Sequence, residues 1–170
     1  MSLVRSEWRV ALLSHCLLNP GLRARGLGSP QEALPHLSRL LAELMGRGYC
    51  VLQLPCPEAA FLSVRREPAT RAEYEQAGLR HKAVELAESV ARLVASMASA
   101  GAEVSLLIGV AGSPSCGVRT THVTSASVRE PGAGVFVEEL LSRPELRGVK
   151  ALEWDFRDPE GSLARVLASL

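Results

Sequence analysis

The sequence has few of the residues with which proteins bind nucleic acids or membrane surfaces. Only 4% of its 170 residues are aromatic, which argues against a surface that stacks nucleic-acid bases. Lysine and arginine together number 19 against 18 aspartates and glutamates, so the net charge is +1. A charge so close to zero provides no general attraction for nucleic acid or for an anionic membrane. We therefore expect neither of these partners.

Long hydrophobic segments are also missing. The apolar run from Val10 to Leu13 is too short for a secretory signal or a membrane span. No other stretch reaches the roughly 18 apolar residues that a span needs. We therefore expect the protein in the cytoplasm, where thiols usually stay reduced. Cysteines in that compartment bind metals or take part in chemistry more often than they form structural disulfides.

No two cysteines have the CxxC spacing, which disfavours a thioredoxin motif and the usual zinc finger. Four cysteines are nevertheless present, at Cys16, Cys50, Cys56 and Cys116. The chain is 47% hydrophobic and 22% charged, as in ordinary globular proteins, and its length suits one α/β domain over residues 1–170.

Short apolar runs alternate with amphipathic segments along the chain. The runs lack polar alternation, which is typical of strands that are buried on both faces of a parallel sheet. Alternation of strands and helices favours right-handed crossover connections. We therefore predict a doubly wound, three-layer α/β fold of the Rossmann or flavodoxin type, with about four parallel strands in the order 2-1-3-4. The predicted strands are Trp8–Leu13, Tyr49–Leu54, Val104–Val110 and Val149–Trp154.

The predicted helices are recognised by their capping residues and apolar faces. Ser29 is expected to cap the first helix, which runs to about Met45. Thr70 is expected to cap a long helix that reaches about Ala100 unless Gly78 breaks it. The apolar face of the first helix consists of Leu34, Leu37, Leu40, Leu41 and Leu44. Two further helices are predicted over Val135–Leu141 and Pro159–Leu170, and loops over Pro57–Pro68 and Gly112–Gly132.

Three of the cysteines follow predicted strands. Cys16 comes three residues after the first strand, Cys56 two after the second, and Cys116 six after the third. Because the carboxyl ends of parallel strands lie at one edge of a sheet, these three side chains are expected to share one crevice. Three thiolates there are a ligand set for a soft metal ion or a cluster, although buried cysteines are also common in ordinary cores. We interpret Cys50, inside a strand, as such a core residue.

Three sequence blocks resemble the 2-thiouracil desulfidase family. They are SHCLLNPGLRARG at Ser14–Gly26, LPCPE at Leu54–Glu58 and GSPSCG at Gly112–Gly117, and they occur in the family's order. Better-known members carry Arg-Tyr-Asp-Gly where this chain reads Arg-Ala-Arg-Gly at residues 23–26. The resemblance therefore indicates a divergent branch of the family.

The resemblance implies an iron–sulfur enzyme. Cys16, Cys56 and Cys116 would be the three protein ligands of a [4Fe-4S] cluster whose fourth iron is left open. The implied reaction converts C=S to C=O in a small, thiolated nucleobase-like molecule and releases sulfide. An open iron can act as a Lewis acid toward sulfur, and a nearby carboxylate can activate water. Glu58, two residues after Cys56, is our candidate for that base.

Several neighbouring residues have two possible roles each. Glu58 could be the base, or it could pair with Arg65 or Arg66 or cap a backbone turn. Ser113 and Ser115 could hold a substrate oxygen or bond to cluster sulfides, or they could only shape the turn before Cys116. These alternatives depend on which way the side chains point.

Two histidines and the arginines leave further alternatives open. His15 and His122 could be a fourth ligand or a proton shuttle, or they could be ordinary structural residues. Arg65, Arg66 and Arg119 could bind an anionic substrate or pair with carboxylates. The same three cysteines, with His15 or a water molecule, could instead bind zinc and make a hydrolase. A protein that only binds metal or sulfur, without catalysis, is another alternative.

Overall fold

The structure is a computed structural model that describes residues 8–170. Over these residues the chain alternates strands and helices. The strands are β1 (Trp8–Leu13), β2 (Tyr49–Gln53), β3 (Ala102–Val110), β4 (Thr120–Thr121), β5 (Glu130–Pro131) and β6 (Lys150–Trp154). The helices are α1 (Pro30–Gly46), α2 (Pro57–Phe61), α3 (Arg71–Ala77), α4 (Leu79–Ser99), α5 (Val135–Leu141) and α6 (Pro159–Ala168), and short 3-10 turns occur at His15–Leu17, Pro20–Leu22 and Pro144–Leu146.

The main sheet has the order β2-β1-β3-β6, and all three pairings are parallel. This confirms the predicted doubly wound α/β fold and its strand order. The two central strands are the most apolar, and residues 10–13 and 106–108 are buried. Burial on both faces explains why these strands read as continuous apolar runs. The strands β4 and β5 form a separate antiparallel pair, inside a segment predicted as loop.

Helices form the two outer layers of the fold. α1 packs against β2 and α6, whereas α4 packs against β3, α2, α3 and α5. The Ser29 hydroxyl accepts a hydrogen bond from the Glu32 N–H, which confirms the predicted cap of α1. Thr70 caps α3, and the helix is interrupted at Gly78, where φ is 99°, before α4 begins. Within residues 8–170, no helix is both long enough and apolar enough to cross a bilayer.

Three local expectations are wrong. Cys50 is exposed, because β2 is an edge strand and this side chain faces solvent. Leu34 is 48% exposed, since it lies about 80° around the helix axis from the middle of the buried stripe of α1. Residues Pro57–Phe61 form the helix α2 instead of a loop. The prediction of a single domain over residues 1–170 stays a prediction, and residues 1–7 lie outside the described residues.

Candidate functional site

A cavity of about 520 Å³ lies at the carboxyl edge of the main sheet. Its lining includes Cys16 after β1, Cys56 after β2 and Cys116 after β3. Cys50 does not belong to the lining. The structure thus places the three cysteines together as the topology of parallel strands predicts.

Cys16 and Cys56 are held by the turns that leave the two neighbouring strands. Cys16 is the middle residue of a 3-10 turn, and the preceding Ser14 N–H donates to the Ile108 carbonyl of β3 at 3.0 Å. Cys56 is the N-cap of α2, and its Sγ accepts a hydrogen bond from the Ala59 N–H at 3.4 Å. A thiol at a helix N-cap faces backbone N–H groups, which favour its deprotonated form.

Cys116 is held by a tight loop that lies directly on β3. Its carbonyl accepts a hydrogen bond from the Val110 N–H at 2.9 Å, and its own N–H donates to Ser113 Oγ at 2.9 Å. A Cβ atom at Gly109 would lie 2.3 Å from the Cys116 carbonyl oxygen, far inside a van der Waals contact. Glycine at position 109 is therefore what allows the loop to approach the strand so closely.

Burial raises the pKa of all three thiols. The pKa of Cys16 rises to about 12, chiefly because of burial, although the Arg23 guanidinium acts in the opposite direction. Burial raises the pKa of Cys116 further, and the neighbouring Cys16 and Cys56 add to this shift. Burial also raises the pKa of Cys56. The three thiols are therefore neutral by themselves, and a metal group that binds them must displace their protons.

Glu58 lies at the centre of a buried hydrogen-bond network beside the cysteines. Only 7% of the residue is exposed, and it lines the cavity. One carboxylate oxygen accepts from Arg66 Nε at 2.9 Å and from the Tyr74 hydroxyl at 3.2 Å. The other accepts from the Ser115 hydroxyl at 2.6 Å. Burial acts to lower the pKa of Arg66, but the charges of Glu58, Cys56 and Tyr74 and the hydrogen bond to Glu58 together outweigh it, so the pKa is raised.

The structure shows which of the two neighbouring arginines pairs with Glu58. Its partner is Arg66, which is itself 8% exposed, and not Arg65, which is exposed outside the cavity. The Arg66 guanidinium also donates to the Leu22 carbonyl at 2.9 Å, so it ties the first motif block to the second. Arg66 is thus occupied by protein groups, and an anionic ligand would have to compete with them.

The hydroxyl oxygens of Ser113 and Ser115 lie 3.5 Å apart, but their other contacts differ. Ser113 Oγ accepts from the Cys116 N–H, so this serine shapes the turn. Ser115 Oγ lies between Glu58 and Cys116, 2.6 Å from Oε1 of the first and 3.6 Å from Sγ of the second. Of these two serines, Ser115 is therefore the one that contacts both the Glu58 carboxylate and a cysteine.

The two histidines also differ. His122 lines the cavity, and its Nδ1 lies 2.9 Å from the Val128 carbonyl oxygen. His15 is not part of the lining, and its Nδ1 lies 3.2 Å from the Leu54 carbonyl oxygen. The structure therefore does not favour His15 as a ligand beside Cys16.

One wall of the cavity was missed by the sequence analysis. Trp154 is the last residue of β6 and Phe156 follows it, and the Arg23 guanidinium lies 3.8 Å from the centre of the Phe156 ring. Arg157 also lines the cavity, whereas Arg119, which was considered for anion binding, is exposed and does not line it. A signal existed in the sequence, because the rule that selects residues after β1, β2 and β3 applies equally to residues after β6.

The arrangement of the cysteines bears on which metal group they could bind. Over residues 8–170, no three histidine, cysteine, aspartate or glutamate side chains form a group that could hold one metal ion. Zinc would need thiolate sulfurs about 3.8 Å apart. A cubane cluster places an iron atom behind each thiolate and needs wider spacing. Among the described residues the three thiols line one cavity without forming such a one-ion group, and thiolates are the donors that iron–sulfur clusters take.

Comparisons with known proteins agree with the fold. A family model described as "Putative 2-thiouracil desulfurase" matches residues 8–166. A solved structure, the [4Fe-4S]-dependent thiouracil desulfidase TudS, superposes with a TM-score of 0.56 at 23% identity. That match covers 95% of this chain and 99% of the other. An uncharacterized protein from Methanocaldococcus jannaschii is 26% identical over 148 residues, which is 86% of this chain and 85% of that protein.

Proposed function

The chain belongs to the 2-thiouracil desulfurase family, and from that premise we propose that it removes sulfur from a small, thiolated nucleobase-like molecule. The observation that carries this proposal is the meeting of Cys16, Cys56 and Cys116 in one cavity with the carboxylate of Glu58. The neighbour TudS, whose name describes a [4Fe-4S]-dependent thiouracil desulfidase, supports the same cofactor here.

The proposed reaction is a hydrolysis without net oxidation or reduction. The oxygen of one water molecule forms a bond to the thiocarbonyl carbon, and the carbon–sulfur bond breaks. Carbon ends as C=O, and sulfur leaves with the two protons of that water as hydrogen sulfide or, after losing one, as hydrosulfide. The site needs a soft Lewis acid for sulfur, a base for water, and a cavity that holds the ring.

The three cysteine thiolates would bind the cluster. Cys16, Cys56 and Cys116 are its proposed ligands, with no fourth ligand from the protein. When bound, the cluster supplies an open iron as the Lewis acid for the thiocarbonyl sulfur. Cluster binding has to overcome the raised pKa values of the thiols, so it is expected to release protons.

Glu58 is the proposed general base. Arg66 and Tyr74 hold one of its oxygens, which orients the carboxylate and leaves the other oxygen toward Ser115. A water molecule beside that second oxygen could transfer a proton to it. Ser115 would hold this water or a substrate oxygen, while Ser113 would keep the loop of Cys116 in its turn.

Anaerobic reconstitution with iron and sulfide tests the proposal. The full-length protein should turn brown, with broad absorption in the visible range, and should release sulfide from 2-thiouracil or related thiolated nucleobases. A brown protein that releases no sulfide from a panel of thiocarbonyl compounds would indicate a cluster-binding protein without this activity. A colourless protein that binds one zinc ion per chain would reject the cluster and support the zinc hydrolase.

A further inference from the structure

A carboxylate outside the cavity holds the chain segment that leaves Cys116. Glu153 lies on β6, is half-buried, and does not belong to the cavity lining. Its Oε1 accepts hydrogen bonds from three consecutive backbone N–H groups. The donors are Val118 at 2.7 Å, Arg119 at 2.5 Å and Thr120 at 2.9 Å. The Thr120 hydroxyl lies 3.5 Å from Oε2 of the same carboxylate.

These contacts complete a closed loop around Cys116. The Gly112 N–H, at the start of the loop, donates to the Thr120 carbonyl at 3.1 Å. The Gly117 N–H donates to the Ser113 carbonyl at 3.0 Å inside it. Glu153 stands opposite Gly109 in the β3–β6 pairing, so the carboxylate sits beside the strand on which the loop rests. The far end of the loop is thus anchored to β6 by one side chain.

We infer that Glu153 is a positioning residue for Cys116. Bonds between a carboxylate and backbone N–H groups are among the stronger hydrogen bonds in proteins, and here three converge on one oxygen. Without them, residues 118–120 would lose these bonds to β6, and the thiol would be held less firmly, although the bonds of Cys116 to Val110 and Ser113 would remain. The effect passes through the backbone, since Glu153 does not reach the cavity itself.

The inference rests on the proposed function in one respect only, namely that Cys116 is positioned in order to bind a cluster. The position of the thiol can be measured without iron, so a failure of either idea can be recognised separately. Glu153→Ala removes every acceptor, whereas Glu153→Gln keeps one neutral carbonyl oxygen and tests whether charge is needed. Glu145→Ala is a matched control, because Glu145 is an exposed glutamate far along the chain from the loop.

The experiment measures alkylation of the reduced, iron-free, full-length protein with iodoacetamide, followed by peptide mass spectrometry. The rate at Cys116 is divided by the rate at the exposed Cys50 of the same molecules. We expect Glu153→Ala to raise this ratio about tenfold and Glu153→Gln to raise it less, by about threefold. The ratios for Cys16 and Cys56 should stay within about twofold of the parent. Glu145→Ala should change none of them.

Two results would overturn the inference. An unchanged Cys116 ratio in both Glu153 variants would show that the loop keeps its place without the carboxylate. An equal rise at Cys16, Cys56 and Cys116 in the Gln variant would show a general loss of stability. If the protein never binds a cluster but the Cys116 ratio rises selectively, the positioning role stands and the proposed function fails.

Discussion

The four cysteines of this chain lie in two contrasting places. Three of them, Cys16, Cys56 and Cys116, lie in the segments that follow the carboxyl ends of neighbouring strands, and they line one cavity. Cys50 lies only six positions before Cys56, yet it faces solvent on an edge strand. The contrast shows that sequence proximity does not bring thiols together. The strand order brings the thiols together, because the loops that follow parallel strands all lie at the same edge of the sheet.

The largest effect is expected when a cavity cysteine is replaced. Cys116→Ser should abolish both the brown colour after reconstitution and sulfide release, because serine is a much poorer ligand for iron. Cys50→Ser is the matched control and should leave both unchanged. Visible absorption and a sulfide assay on the two variants check this. A fully coloured, active Cys116→Ser protein would remove Cys116 from the ligand set.

Replacing Glu58 tests whether the cavity catalyses the reaction as well as binding a cluster. Glu58→Gln keeps the size of the side chain but cannot take a proton, so turnover should fall at least about 100-fold. The brown colour should remain, because no cluster ligand changes. Glu67→Gln, at an exposed glutamate, is the control and should behave like the parent. Turnover of Glu58→Gln at the parental rate would reject the general-base assignment.

The close contact between the cavity loop and the sheet can be tested with two glycines. Gly109→Ala should lower the free energy of unfolding by about 3 kcal/mol, because its Cβ would overlap the Cys116 carbonyl. Gly46→Ala, at the end of α1, meets nothing within 4 Å and should raise stability by at most about 1 kcal/mol. Urea denaturation measures both. Equal effects would mean that the loop can move away from β3 at little cost.

Thiol reactivity gives the smallest but most direct comparison. In the reduced, iron-free protein at pH 8, Cys16 should react with iodoacetamide at least about tenfold more slowly than the exposed Cys50. Burial raises the pKa of Cys16 to about 12, so little of it is thiolate at that pH. Its rate should therefore keep rising as the pH is raised above 8. Faster labelling of Cys16 than of Cys50 would contradict the buried environment.

Much of the architecture follows from local patterns in the sequence. Apolar runs without alternation predicted four parallel strands, and Ser29 and Thr70 predicted the starts of two helices. These features depend on residues close in the chain, where propensity and capping act. Together with the topology of parallel sheets they were enough to predict that Cys16, Cys56 and Cys116 share a cavity. The exposure of Cys50 could not be predicted this way, because it depends on which strand lies at the edge.

Tertiary structure alone decided which charged groups meet. Glu58 could have paired with either of two adjacent arginines, and only the folded chain buries Arg66 against it while leaving Arg65 outside. Glu153 binds N–H groups more than 30 residues away, a contact with no counterpart in the local sequence. The sequence by itself therefore determined the sheet and the loops that carry the cysteines. The orientation of each polar side chain was decided by packing, because hydrogen bonds form with whatever donors the fold brings within reach.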